Sequence, residues 1–509
     1  MFADLHVHPG LKPFHSGHPL PDANKNIYAD LDNPGVKDFL RWLANVAHMG
    51  VIFYSQSNLE RMRFGKVRVA CVSLYPLEKG FAKVDLQEAP FLQREILRLF
   101  GYDDIHLVEA VAGVQKDKVA FIRNTEDDYF PFLEQEYQYM LAQTKTPEAN
   151  TKAKFVRDFT ELKTVLAEPD TIALINTIEG AHVFGAYSQD DSVITPERLK
   201  TYSERIAHVK NVWEFPPFFI SLQHHFWNHL GGHARSLSGL LSDVVNQNDH
   251  MNEGLNELGK HVIRELLSNQ NGKRILVDIK HMSARSRKDF YGMLKTEFSG
   301  EKIPIICSHT GIMDQRETLN RIIAEPQDTE EANANNYLHN WSINLCKEDI
   351  LNIYRSGGLI GIQLDEKRLG GGLAQTKLTL AKKKQPQPSN DPERPWLVRE
   401  EYMKLLWGNI FTLVRYIRQP DAWDIITIGS DMDGLINPMD IYPDSTYMDE
   451  LAEDMRDFLL SKTPIPELNL RPEFIKNYMY GYTPEELVNK IMFSNMEDFL
   501  EKNFQDHLA

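Results

Sequence analysis

The sequence predicts an α/β fold, a (β/α)8 TIM barrel, on three observations. Eight short β-rich runs alternate with helical stretches along the chain. Most of those runs are near-continuously apolar, the pattern of parallel strands covered on both faces. Polar residues gather at their C-terminal ends, where such barrels carry their chemistry. A doubly wound open sheet is the alternative, but it would not so naturally bring the first and eighth strands together.

The first run is Phe2-Ala-Asp-Leu-His-Val-His8. Side chains two apart on a strand share a face, so Asp4, His6 and His8 point the same way. Two neutral imidazoles on a rigid strand suit zinc or a similar divalent ion; a chance His-x-His is the plainer reading. Residues 10–66 mix Pro, Gly and His with a helical stretch near Val36–Met49, and Val67–Leu74 is the second run. A charged, mostly helical region follows to about Pro169, and Thr171–Ile178 then runs into Glu179-Gly-Ala-His182. Thr195 and Pro196 read as N-cap and first position of a helix.

Phe218–His224, Ile275–His281 and Pro304–His309 each end in histidine. Gly358–Leu364 is the seventh run, and Asp424–Ser430 leads into Asp431-Met-Asp-Gly434. Asn256–Leu267 and Lys347–Arg355 are helical segments between them. Thr483-Pro-Glu-Glu486 is a capping box opening an amphipathic helix with Leu487, Val488, Ile491 and Phe499.

The expected organisation is one domain over residues 1–509, with insertions at about 80–168 and 366–398. The second insertion holds Gly370-Gly-Gly372, Lys382-Lys-Lys384 and Gln385-Pro-Gln-Pro388, and its lysine run reads as a solvated loop. Hydrophobic residues at 42% and charged residues at 25% are those of a soluble globular chain. A formal charge of −16 argues against nucleic acid or an anionic membrane as partner. Cys71, Cys307 and Cys346 form no Cys-x-x-Cys and no paired framework, which points to a reducing, cytoplasmic setting. No apolar run is long enough to cross a bilayer. A site strand beginning at residue 2 leaves no room for a signal peptide before it, and Gln505–Ala509 is not a lipid-anchor signal.

Collected in order, the strand-end residues are His6, His8, Glu179, His224, His281, His309 and Asp431. On one barrel rim they match the needs of a two-metal hydrolase. Glu179 suits the bridging anion, His6 and His8 one metal, and His281 and His309 the other. Such a pair brings a bridging water to hydroxide near neutral pH and polarises a carbonyl. Asp431 is placed to take and return the proton. Each has a structural alternative: a satisfied core histidine, a Glu179 paired with a cation, or an Asp431–Gly434 turn. His225, His229 and His233 read as loop or supporting residues, His182 as one that orients a ligand, and His15 and His18 as rim or surface.

These pieces resemble the membrane (renal) dipeptidase family of the amidohydrolase superfamily. The matching stretches are Asp4–His8, Ile178–His182, Leu222–Asn228, Asp278–Ser283, Ser308–Thr310, Gly357–Gly361 and Gly429–Gly434, in the family's order across almost the whole chain. The resemblance implies a (β/α)8 barrel with two zinc ions. Glu179 resembles the bridging ligand, His281 and His309 the ligands of one zinc, His6 a ligand of the other, and Asp431 the acid/base aspartate. His224 resembles the histidine that holds the carbonyl oxygen as it turns tetrahedral, and Asn228 of the same motif is a further substrate-binding candidate. Family members cleave dipeptides, including ones with a C-terminal D-residue, and some open β-lactams.

The chain departs from the family in three ways. Its first motif is His6-x-His8 where the family has His-x-Asp, which keeps a ligand and removes a negative charge. The family's arginine for the substrate carboxylate corresponds to Ile343, and Arg316 is the cation offered in its stead. The chain is also longer, and is expected to carry no secretion or anchoring segment. The expected activity is zinc-dependent hydrolysis of the amide bond of dipeptides or dipeptide-like substrates. Another amidohydrolase activity (lactonase, N-acyl amino-acid hydrolase or deaminase) is the alternative, and a non-catalytic metal-binding scaffold stands behind it. The expected partner is a small molecule, and a homodimer is compatible with the sequence.

Overall fold

The computed structural model describes residues 1–17, 19–30, 55–91, 94, 95, 98, 103–112, 114–124, 127–145, 151–187, 193–314, 316–384 and 396–505. Its strands are β1 (Phe2–Val7), β2 (Val67–Leu74), β3 (Asp127–Asp128), β4 (Lys152–Phe155), β5 (Thr171–Glu179), β6 (Ala186–Tyr187), β7 (Phe219–Ser221), β8 (Leu276–Asp278), β9 (Ile306–Thr310), β10 (Leu359–Ile362) and β11 (Ile426–Ile428). The eight predicted runs are all strands. They pair in parallel, in the order β1-β2-β5-β7-β8-β9-β10-β11.

Beyond β11 the sheet returns to β1, which makes it a (β/α)8 barrel. Val7 and Met432 form a parallel bridge. Asp431 N–H donates to the His6 carbonyl at 2.9 Å and His8 N–H to the Met432 carbonyl at 3.0 Å. Asp4 spans the same seam: its Oδ1 accepts from Ser430 N–H at 2.9 Å and from His6 N–H at 3.2 Å. Asp4 thus closes the barrel, and its neighbours on the strand are left to form the site. Asp278 acts similarly between β7 and β9, with Oδ2 accepting from Ser221 and Ser308 hydroxyls, each at 2.6 Å.

Apolar composition explains the strands: every residue of β1 and β5 is buried, and all but one of β2. The outer helices bury one face each. In Glu257–Leu267 that face is Leu258, Val262, Ile263, Leu266 and Leu267, and Asn256 caps the start by accepting from Gly259 N–H. Thr195 caps Pro196–Asn211 as its sequence predicts. Lys347–Ser356 ends at Gly357, whose φ of 71° is the left-handed stop that glycine adopts without a Cβ penalty. The predicted Thr483–Glu486 capping box is present. Asn495, further along that tail, donates to the Trp423 and Ile426 carbonyls at 2.6 and 2.7 Å, tying it to β11. Among the described residues, no helix is long and apolar enough to cross a membrane.

Several expectations are corrected. Within 80–168 lie the helices Asp104–Ala112, Lys116–Asn124 and Phe130–Lys145, but also β4, which pairs in parallel with β5 beside the barrel. Four residues with two exposed lysines carry too short a pattern to reveal a strand. The lysine run is not a solvated loop. It ends the helix Gly372–Lys384, where cations oppose the negative helix terminus, and Lys382 lies 3.1 Å from Glu366 and 2.8 Å from Asp440. His15 is buried rather than on the rim or surface, with Nδ1 2.8 Å from the Leu11 carbonyl. The Val36–Met49 helix, His18, Gln385–Pro388 and the last four residues lie outside the described residues.

Candidate active site

The barrel's C-terminal rim gathers most of the strand-end residues around one carboxylate. Glu179 closes β5, and its two oxygens face five imidazoles. Oε1 lies 3.3 Å from His6 Nε2, 3.5 Å from His281 Nε2 and 3.8 Å from His309 Nε2. Oε2 lies 3.0 Å from His8 Nε2 and 3.4 Å from His224 Nε2. Asp431 stands opposite, with Oδ1 3.8 Å from His6 and from His8, and Oδ2 3.5 Å from His309. His6 and His8 Nε2 are 3.0 Å apart. All these residues are buried.

The local backbone is shaped for this convergence. His281 (φ 66°) and Asp431 (φ 61°) are both left-handed, a conformation that non-glycine residues take only when surrounding structure imposes it. Gly180 has φ 92°, and a Cβ there would stand 2.4 Å from His182 Nδ1. A Cβ at Gly434 would stand 2.0 Å from Asp431 Oδ1, so the Asp-Gly turn leaves room for the carboxylate.

Burial sets the charges, and neighbours adjust them. It lowers the pKa of His8 despite Glu179. Burial and the adjacent His224 drop His281 well below the usual imidazole value, and burial and His6 do the same to His309. Those rings are neutral at pH 7, the form that binds metals. Burial opposes the charge on Glu179, but the imidazoles of His224, His6 and His281 outweigh it and hold the carboxyl well below its usual range. Burial and then the charge of Glu179 push Asp431 well above it. Two carboxyls a short distance apart thus have their pKa values pushed in opposite directions. Burial also opposes a charge on His224, which Glu179 and Glu78 raise nonetheless.

Two sets of donors have the make-up of metal sites: His6, His8, Glu179 and Asp431, and Glu179, His281 and His309, with ligand atoms within 4.8 Å of one another in each. Nitrogen and carboxylate donors of this kind suit a divalent transition metal. A third set of the same span is His224, His225 and His281.

Asn228 and Arg316 are directed elsewhere. Asn228 braces its own loop, donating to the Leu222 carbonyl at 2.6 Å and accepting from Leu230 N–H at 3.1 Å. Arg316 donates to the Glu325 carbonyl at 2.6 Å, and the charges around it are Asp328, Arg321 and Glu325. Ile343 packs with Ala234 and Trp341. His182 Nε2 is 2.9 Å from the Pro76 carbonyl, and His233 Nε2 is 2.9 Å from that of Gln247.

Sequence reasoning passed over three neighbours of the site. Glu78 Oε2 is 2.7 Å from His224 Nδ1 and also accepts from the Tyr75 hydroxyl at 3.0 Å. Burial opposes its charge, but the imidazole of His224 brings it down to about 2. Gln363 donates to Asp431 Oδ2 at 2.7 Å. Tyr75 and Glu78 follow β2 and Gln363 follows β10, the two strand ends at which the sequence reading named no candidate residue. Polarity at a strand end, rather than ligand type, was the signal that reached them.

No family model matches this sequence, and curated proteins give no match. Similar solved structures include dipeptidase AC, a metallopeptidase of family M19, at 16% identity, covering 92% of this chain and 96% of that one with a TM-score of 0.48. Another is a metallopeptidase from Rhodobacter sphaeroides bound to a phosphinate mimic of the dipeptide L-Ala-D-Ala, at 14% identity, 99% of each chain and a TM-score of 0.46. An amidohydrolase from Pseudomonas aeruginosa follows, at 12% identity, 88% of this chain, 91% of that one and a TM-score of 0.43.

Proposed function

We propose that this chain is a zinc-dependent hydrolase that cleaves the amide bond of dipeptides or dipeptide-like substrates. The observation that carries the reading is the buried Glu179 carboxylate encircled by His6, His8, His224, His281 and His309, with Asp431 facing it. Glu179 Oε1 is buried with no hydrogen-bond partner among the described residues, an acceptor that a metal would satisfy. His6, His8 and Glu179 would hold one ion, and Glu179, His281 and His309 the other. Bound there, the ions supply Lewis acidity and a water activated near neutral pH.

The side chains carry the remaining chemistry. Asp431 takes the proton of the attacking water and delivers it to the leaving amine, and Gln363 keeps its carboxyl turned to the site. Glu78 holds His224 through Nδ1, which leaves Nε2 to steady the substrate oxygen as charge gathers on it. The raised pKa of His224 favours the protonated, donating form that this role requires.

Ile343 supports a second reading within the same chemistry. It is buried against Ala234 and Trp341 where the resemblance sets a carboxylate-binding arginine, and an apolar residue there suits a lactone or blocked amide better than a free dipeptide. The test is a mass-spectrometric screen of L-L and L-D dipeptides, N-acyl amino acids and lactones with the zinc-loaded chain. Turnover of dipeptides supports the first reading. Turnover only of the others establishes the second, and none with any substrate rejects both.

A further inference from the structure

We propose that His224, His225 and His281 form a third metal position, which takes a divalent transition ion beyond the hydrolytic pair and switches hydrolysis off. Their donor nitrogens lie within 4.8 Å of one another. The ring centroids are 3.8 Å apart for His224 and His225, 4.5 Å for His224 and His281, and 5.0 Å for His225 and His281. All three residues are buried.

The bracing around two of these rings is the kind that metal-binding imidazoles receive. An ionised carboxylate only accepts hydrogen bonds, so Glu78 Oε2, 2.7 Å away, keeps a proton on His224 Nδ1, and an ion takes Nε2 by displacing the proton which that atom holds in the imidazolium form. His225 Nδ1 lies 2.6 Å from Ser236 Oγ, which also accepts from Gln247 Nε2 at 2.8 Å. The Gln247 amide is oriented by Ser236 and Leu237 N–H groups donating to its Oε1 at 3.3 and 2.8 Å. The hydroxyl can accept a His225 Nδ1 proton, and the tautomer with that proton leaves Nε2 as the donor atom. Three imidazoles with no carboxylate select zinc, copper, nickel or cobalt over magnesium or calcium.

The position is not independent of the hydrolytic pair. His281 Nε2 is 3.5 Å from Glu179 Oε1, and one nitrogen ligates one ion. An ion that the three histidines hold through this nitrogen withdraws His281 from Glu179 and His309. Asp431, 3.5 Å from His309, is the group left to replace it, and His224 loses the atom it would turn to substrate. Inhibition rests on the hydrolase reading above; the extra ion does not.

The chelator-stripped full chain is titrated with Co2+, followed by its visible absorption, and with Zn2+, followed by elemental analysis after gel filtration. The expected result is two tight equivalents and a third, weaker one. His225→Ala loses the third alone, and so does His225→Asn, which keeps a hydrogen-bonding group for Ser236. Where a substrate is turned over, wild-type activity rises and then falls with zinc, and both variants need at least tenfold more zinc for the fall. A third equivalent of unchanged affinity in a folded variant, or only two in the wild type, overturns the proposal. Absence of turnover leaves the binding result standing and counts against the hydrolase reading alone.

Discussion

Two arcs of the same histidine ring are held in different ways. His6, His8 and His281 have Nδ1 atoms buried without a hydrogen-bond partner among the described residues. His224, His225 and His309 have theirs against Glu78, Ser236 and Ser308 at 2.7, 2.6 and 2.9 Å. The first arc is aimed by backbone alone: His6 and His8 by the strand and the barrel seam, His281 by its left-handed φ. The second is aimed by side-chain bonds, which at His224 and His309 also choose the tautomer. Backbone-aimed ligands have no side-chain partner on Nδ1 to fix the ring, whereas hydrogen-bonded ones are ordered by theirs before an ion arrives.

That contrast can be broken by substitution. The largest effect is expected from His6→Ala, which removes a donor that nothing else can replace. It should cost one bound ion by elemental analysis and essentially all activity; unchanged metal content would remove His6 from the ligand set. Asp431→Asn should keep both ions and lower kcat by about 10²–10⁴-fold, the range for a lost acid–base group. Loss of metal instead would make Asp431 a ligand first. Glu78→Gln keeps the shape beside His224 and removes the charge. A fall of about 10–100-fold in kcat/KM with metal content intact is expected, and an equal fall in metal would show that both arcs respond alike.

The smallest effect lies outside the ring. Burial raises Glu136 from 4.5 to about 8, against the hydrogen bond from Tyr75 N–H and the charge of Lys118. The folded chain therefore holds a proton that the unfolded chain releases above pH 4.5. Stability from this group is whole below that pH and is lost as pH rises toward 8. Glu136→Gln should narrow the drop in Tm between pH 5 and pH 8 without altering metal content, as thermal melts across that range will test. An identical drop in wild type and variant would show that Glu136 does not titrate there.

The strands were readable because burial on both faces leaves a run of apolar residues whose end is marked by the first polar one. His6, His8, Glu179, His224, His281, His309 and Asp431 could be collected by that mark, and they do converge. Asp4 was assigned to the same face by strand alternation, yet it turns to the barrel seam because the unpaired Ser430 and His6 N–H groups there need an acceptor. Arg316 and Asn228 carried the right chemistry for substrate, but a nearby carbonyl takes a donor group of each. Short-range sequence cannot register such competition, since Arg316 is held by a carbonyl nine residues on.

Local pattern alone was enough for the eight strands, the caps at Thr195 and Thr483, and the identity of the histidines and carboxylates at the rim. These follow from periodicity, burial and backbone preference, which act over a few residues. Which imidazole is braced and how the two carboxyl pKa values are driven apart were decided only when the barrel closed. Glu78 meets His224 across 146 positions of chain. The pKa values of Glu179 and Asp431 are pulled apart because folding buries them together, 252 positions apart in sequence. Charge and hydrogen bonding depend on distance in space, and only closure of the sheet set those distances.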